Sequence, residues 1–414
     1  LMSQAEKDLG TKLDWVAVDH FNTGHPHTHI IVRGKDDLGN DLVIAREYLS
    51  HGLRERARDL VTFELGPETQ YEVDQKIARE VQSERFTRTD RSILRDTDRG
   101  ILTISSSPKQ DQQYLTHRMG RLRKLENMGL AEELKPGVWK IAERTENTLR
   151  QLGERGDIMK TMQRVLKEAS IDRGASNYLV FDATKAAQKI TGKIVAIGLS
   201  NELQDQHYIV VDGTDGTLHY AEIGRLSKYD PPSKDMVVTL RGSDGENRLA
   251  QSMKLPARIF IESHVPFREL VNAEGATWLD RELLSKQPET FREKGFGAEA
   301  NQALKLRQRW LVQEGLMIEQ DGRMIVQRRM LSELMRREVS KMGSELAAKL
   351  DMSQVSSSEL GAATAKIIRS VRLASGRFAL MQNGKEFALV PWRQAMQRYK
   401  AKGFGIEARS GMSR

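Results

Sequence analysis

The 414-residue chain contains no cysteine. That excludes disulfides and thiolate metal ligands, and it fits a reducing compartment. No stretch approaches the roughly eighteen consecutive apolar residues of a membrane span, and no charged-then-apolar leader is present. The expectation is therefore a cytoplasmic protein without membrane insertion. A Walker-type glycine loop is absent too, so no phosphate cradle of that kind is expected. Charge of one sign is only slightly in excess: 65 Lys and Arg face 57 Asp and Glu, a formal net of +8. Totals so nearly balanced say little about a polyanionic partner; clustering says more. The basic residues do cluster, as Arg85, Arg88, Arg91, Arg95 and Arg99, then as Arg118, Arg121, Arg123 and Lys124. A chain of this length is expected to hold two to four domains.

What the sequence has in plenty, at one place, is histidine. Four of its nine histidines, His20, His25, His27 and His29, fall between positions 20 and 29. Imidazole is the commonest metal-binding side chain, and such crowding is unusual without a reason. Trp15 to Val18 and Ile30 to Val32 are β-branched apolar runs flanking the turn formers Asn22, Gly24 and Pro26, which predicts two neighbouring strands. Side chains alternate along a strand, so His27 and His29 share a face about 6–7 Å apart along the backbone. His20, ending the partner strand, can close a third side. A solvated surface tract is the competing reading; the regular strand pattern on both sides argues for a metal site. Spacing disfavours two alternatives. No histidine here has a hydroxyl residue two positions on, as two-histidine phosphoesterases require, and Ile30 to Lys35 hold no cupin-type glutamate.

His20, six residues, then His27-Thr-His29 followed by Ile-Ile-Val resembles the third motif of the HUH-superfamily relaxases, which nick plasmid DNA at the transfer origin. The His-Pro-His-x-His wording is most similar to the border-nicking branch. The resemblance implies metal ligands at His20, His27 and His29, with His25 supporting them or facing DNA. Thr28 departs from the larger apolar residue usual between the two histidines, though threonine suits a strand. It also implies a divalent metal, Mn or Mg in function with Zn accepted by three imidazoles. The activity implied is site- and strand-specific nicking and transesterification of single-stranded origin DNA. Relaxosome accessory proteins and a conjugative coupling protein are the implied protein partners.

One member of the expected machinery is missing. The family's nucleophile is a tyrosine upstream of the histidine motif, and the first tyrosine here is Tyr48, downstream of it. Tyr48 sits where a helix begins, so a packing role suits it better than attack on a phosphate. The first residue is Leu1, and Met2 to Leu9 reads as a helix in progress; the expectation is a fragment starting inside a nuclease domain. Such a chain would bind metal without forming the covalent intermediate. The alternative is a non-catalytic DNA- or relaxosome-binding protein derived from a relaxase.

Along the rest of the chain, Leu49, Leu53, Ala57, Leu60 and Val61 give an amphipathic helix over 49–65. Arg33, in phase with His27 and His29, could reach a scissile-strand phosphate. Residues 68–110 are polar and read as a connection. Leu115, Met119, Leu122 and Leu125 then keep helical spacing up to Gly129, and two apolar runs about Pro136-Gly137 follow. Helix then hairpin is similar to a winged-helix module, with Arg118, Arg121, Arg123 and Lys124 as candidate DNA contacts. Four strand candidates between 190 and 241 predict a small β-barrel or curled sheet, in which His207 and His219 are structural or surface residues. Leu304 to Val326 repeats the helix, Gly-Leu, hairpin grammar. Lys294-Gly-Phe-Gly-Ala-Glu-Ala300 echoes 402–408 and suggests equivalent helix-to-helix corners. A hairpin is expected across Asn383-Gly384. From about 145 onward the chain resembles the long C-terminal domain of unknown function attached to relaxases of this branch. The expected fold class is α+β: a partial HUH-nuclease antiparallel sheet over 1–70, a linker plus winged-helix-like module over 71–145, a helix plus small barrel over 146–260, and a mainly helical domain with a second winged-helix-like unit over 261–414.

Overall fold

The computed structural model describes every residue except 21–26, 105–111, 172, 175–176, 186, 203, 228–229, 243–255, 321–322, 361–364, 394–395 and 397–414; of His20, Gln113 and Arg323 it describes the backbone alone. The fold is α+β, and the chain forms two compact units, Leu1–Thr161 and Met162–Arg414. The boundaries expected at 70 and 260 fall inside these units, and the one at 145 marks the start of a helix that runs through the division.

The first unit opens with helix α1 (Met2–Leu9), closed by Gly10 in the left-handed conformation at φ 68°, where a residue without Cβ meets no penalty. Strands β1 (Trp15–His20) and β2 (His27–Val32) form an antiparallel pair, and among the described residues no third strand joins them. Their faces are barely covered: Val16, Val18 and Ile31 stay 56–70% exposed. A small cluster of Met2, Ala5 and Leu13, with Tyr48 and Leu53 against it, anchors the segment. A π-helical turn over Tyr48–Gly52 leads into α2 (Leu53–Leu65). No residue of this helix is fully buried: Leu53, Ala57 and Leu60 of the expected apolar face are half-buried, while Leu49 and Val61 lie open to solvent.

Residues 68–110 depart most from expectation. Instead of a connection they supply α3 (Gln70–Gln82), α4 (Arg88–Arg95) and β3 (Ile101–Thr103). Two capping boxes start the helices: Thr69 and Glu72 for α3, Thr87 and Asp90 for α4. Each pair satisfies amides that a helix start otherwise leaves unpaired. Few apolar residues are needed, because Val81, Ile93 and Leu102 are all buried. Next come α5 (Gln112–Asn127), β4 (Ala131–Lys135), β5 (Val138–Ile141) and α6 (Thr145–Glu168). The strands order as β3-β5-β4, and Leu122, Leu125, Leu130 and Trp139 fill the space between sheet and helices. Burying each such side chain contributes about 1.5–3 kcal/mol.

In the second unit, β6 (Tyr178–Val180), β7 (Lys189–Asn201), β8 (Gln206–Gly213), β9 (Leu218–Gly224), β10 (Val237–Arg241) and β11 (Arg258–Ile261) form one sheet in the order β11-β10-β7-β8-β9-β6. The strands from β7 to β10 answer the sequence pattern. The sheet is open rather than a closed barrel: β11 and β6 are its edges, and β6 adds only three residues, parallel to β9. Helices α7 (Trp278–Leu284) and α8 (Gly295–Gln313) follow, then the hairpin β12 (Met317–Gln320) and β13 (Arg323–Val326), whose turn at Asp321-Gly322 lies outside the described residues. The echo at 294–300 marks the start of α8, with Gly295 at φ 55°; its counterpart at 402–408 is outside the described residues.

The remainder is α9 (Met330–Leu350), β14 (Ser353–Gln354), β15 (Lys366–Leu373), β16 (Gly376–Asn383) and β17 (Glu386–Pro391). The expected hairpin is there, β16 to β17 through Gly384 at φ 59°. It belongs to a four-stranded sheet, β14-β17-β16-β15, that stands beside the helices of this region. Its strands carry the core of the region, Phe378, Leu380, Phe387 and Leu389, packed on Leu346 of α9.

Candidate metal and nucleic-acid sites

Strand register brings the histidines together. His20 pairs with His27 and Val18 with His29, so the backbone sets His20, His27 and His29 on one face of the hairpin. The Nε2 atoms of His27 and His29 lie 3.2 Å apart, their rings edge to face at 4.9 Å. Two imidazole nitrogens about 2.0–2.1 Å from one tetrahedral zinc would stand roughly 3.3 Å apart. The separation is that of a hydrogen bond between the two rings, and it also matches the spacing of two neighbouring ligands of a single ion. Thr28 points to the other face, where its hydroxyl donates to Asp19 at 2.6 Å. That bond ties the strands together next to the histidines. His25 lies outside the described residues.

Tyr48 takes the packing role. Its hydroxyl donates to Asp8 at 2.9 Å, and Arg56 grips the same carboxylate at 2.7 Å. Hydrogen bonds from Arg56, Gln4 and Tyr48 hold the Asp8 carboxyl below its usual range. Burial, then the Asp8 hydrogen bond and charge, push the Tyr48 phenol up. Tyrosinate is thus harder to form here, the opposite of what a nucleophile needs.

Arg33, just past β2, stands 3.5 Å from Asp14, and both side chains are about 70% exposed. Such a pair is weak and leaves the guanidinium accessible. On α5 the four candidate cations separate. Arg123 is exposed, and Lys124 is half-buried beside Glu84 at 3.1 Å. Arg118 is buried and pairs with Asp96 at 2.9 Å. Arg121 corrects the sequence reading outright: it is fully buried, so it is not a DNA contact. Its Nε and Nη2 donate to the two Asp90 oxygens at 2.7 and 2.8 Å, and its remaining N–H groups go to the carbonyls of Val81, Ser83 and Arg85. With all five donors used, nothing is left for a phosphate.

The same clamp occurs a second time. Arg307 of α8 donates through Nε and Nη2 to Asp280 at 2.8 Å each, and to the carbonyls of Val271, Ala273 and Gly275. Asp280, like Asp90, is the third residue of a helix capped by a threonine, Thr277 in place of Thr87. Eight residues after each arginine comes a left-handed glycine, Gly129 at φ 69° and Gly315 at φ 67°. In both copies the leucine after it donates back to a leucine carbonyl five residues earlier, Leu130 to Leu125 and Leu316 to Leu311. These are two helix ends of one type. The duplicated helix, Gly-Leu, hairpin pattern was visible in the sequence. The clamp was not, because its partners are 31 and 27 residues apart. The available signal was the recurring Thr-x-x-Asp-Arg, at 87–91 and 277–281.

Compared with known proteins, the chain matches the family described as "Protein of unknown function (DUF3363)" over residues 118–255 and 250–412. It belongs to that family, the matched region taking in most of its length. No curated protein matches it. No solved structure matches it.

Proposed function

We propose that this DUF3363 member is a DNA-processing protein of the relaxase type, in which the histidine face of β1 and β2 holds one divalent ion. The observation that carries this reading is the 3.2 Å approach of the His27 and His29 Nε2 atoms, with His20 in register beside them. When bound, the ion would supply charge to polarise a phosphate's non-bridging oxygens. His27 and His29 would offer it their Nε2 atoms, and the Thr28–Asp19 bond ties down the strand that carries them. Arg33, Arg123 and Lys124 are the candidate contacts to single-stranded origin DNA, through charge-assisted hydrogen bonds to phosphates. Tyr48 is not the nucleophile, since its hydroxyl is engaged by Asp8 and its phenol is held protonated. Among the described residues no helix is long and apolar enough to cross a membrane.

Calorimetric titration with Mn²⁺ and Zn²⁺ tests the site. The wild-type chain should take one ion, and the double change His27→Ala, His29→Ala should abolish binding without altering circular dichroism. Undiminished binding by that variant would refute the assignment. With origin-strand DNA, this chain should bind without forming a phosphotyrosyl adduct; an adduct mapped to Tyr48 would overturn the role given to it.

A second reading, a non-catalytic binding protein, draws on the same Tyr48 geometry. Metal-independent DNA affinity, unchanged in the histidine variant, would favour it.

A further inference from the structure

A cavity of about 730 Å³ opens beside α3, α4 and the first turns of α5. Arg79, Arg85, Arg88, Tyr114, His117 and Arg118 are among the residues lining it. Five cationic side chains on its wall face three carboxylates, and one of those, Glu68, is already paired with Lys76. The Ser92 and Tyr114 hydroxyls stand 2.7 Å apart on the same wall.

Arg118 gives the cavity its meaning. Only 7% of it is exposed, its guanidinium lies 5.6 Å from the Tyr114 ring centre, and Nη1 pairs with Asp96. Its Nε and Nη2 are buried and have no hydrogen-bond partner among the described residues. Buried donors are almost always satisfied, and a cation with two left over is costly unless something complements it.

The duplicated module supplies an internal comparison. With the clamp residues as anchors, Arg88 and Thr89 correspond to Trp278 and Leu279, and Tyr114, His117 and Arg118 to Ala300, Ala303 and Leu304. In the second copy those five positions belong to an apolar core, with Trp278 stacked on Phe296. In the first copy all five line the cavity. The scaffold itself therefore does not demand a polar cavity here; the side chains of this copy create one.

We propose that this cavity is a binding site for a phosphate group, carried by a nucleotide or a nucleic-acid strand, with Arg118 as its buried anchor. The unpaired edge of the planar Arg118 guanidinium suits two phosphate oxygens, and the exposed Arg85 and Arg88 supply further charge on the same lining. Hydroxyls of Thr89 and Ser92 can donate to a third oxygen. The site does not depend on the histidine face, so the failure of one leaves the other standing.

Calorimetric titration of the full chain with pyrophosphate should show one saturable site. Arg118→Leu, which installs the residue found at the matching position of the second copy, should weaken it roughly tenfold or more, the effect of losing a charge-assisted hydrogen bond. Arg88→Gln, on the outer wall, should weaken it less and leave folding intact. A short oligothymidylate with and without a 5′-phosphate separates the sources: preference for the phosphorylated strand identifies a terminal phosphate, equal binding lost in Arg118→Leu identifies the backbone. No saturable binding of pyrophosphate or either strand, or binding unchanged in both variants, would overturn the proposal.

Discussion

Replacing Arg121 by methionine is the sharpest test of how the first unit is held together. The change keeps a long side chain that fills much of the same volume but removes five hydrogen bonds at once. Asp90 is then left fully buried with no cation. Thr87, through its amide and hydroxyl at 2.7 Å each, becomes the main support of that carboxylate. The carbonyls of Val81, Ser83 and Arg85 lose a donor as well. Breaking one side of a buried pair costs about 3–5 kcal/mol. For a unit of this size each kcal/mol lowers the melting temperature by about 2–4 °C, which gives a drop of roughly 6–20 °C. Scanning calorimetry on wild type and variant measures it. The double change Arg121→Met, Asp90→Leu should recover part of the loss, because no orphaned charge remains. A single variant that melts within about 2 °C of wild type, or a double variant whose loss is the sum of the two single ones, would refute the clamp as a stabilising element.

Two further expectations concern the second unit. Gly192 of β7 faces Gly213 of β8, and a Cβ on Gly192 would come within 2.3 Å of the Asp212 carbonyl oxygen; Gly192→Ala should therefore lower stability by about 1–3 kcal/mol in urea denaturation. Asp230 sits 3.1 Å from Arg372, 3.7 Å from Arg377 and 3.5 Å from His264. Burial pushes its carboxyl up, but the His264 hydrogen bond and the surrounding positive charge outweigh that and leave it below the ordinary 3.8. A depressed carboxylate contributes stability above its unfolded value and loses it as pH falls through the folded one. The loss attributable to Asp230 should thus begin below about pH 4, and Asp230→Asn should flatten the acid limb of the stability profile. An unchanged acid limb would show that His264 and the two arginines do not favour the charged form.

The sequence made the periodic elements legible and hid the long-range ones. Leu115, Met119, Leu122 and Leu125 marked α5 because a helix repeats its apolar face every three or four residues, and Gly129 marked its end. The alternation around His27 and His29 marked β2 in the same way. Residues 68–110 were opaque, since α3 and α4 are short, polar helices held by caps and by a buried ion pair rather than by apolar stripes. Arg121 misled for a related reason. A cation on a helix among other cations looks like a surface residue until its partner, Asp90, is found 31 positions earlier. The difference between Arg118, Arg121 and Arg123, three roles within two turns of one helix, comes from the neighbours that α3 and α4 bring against it.

The clamp has a consequence beyond the stability it confers. Arg121 bolts the middle of α5 to the α3–α4 corner, and Arg118 lies one turn before it on the same helix. The backbone that carries Arg118 is therefore held in place before any ligand arrives, and the ordering left to binding falls mainly on the exposed Arg79, Arg85 and Arg88 side chains. In such a frame affinity is set by preorganisation. Arg121, which touches no ligand, would then act mainly on how long a bound phosphate stays.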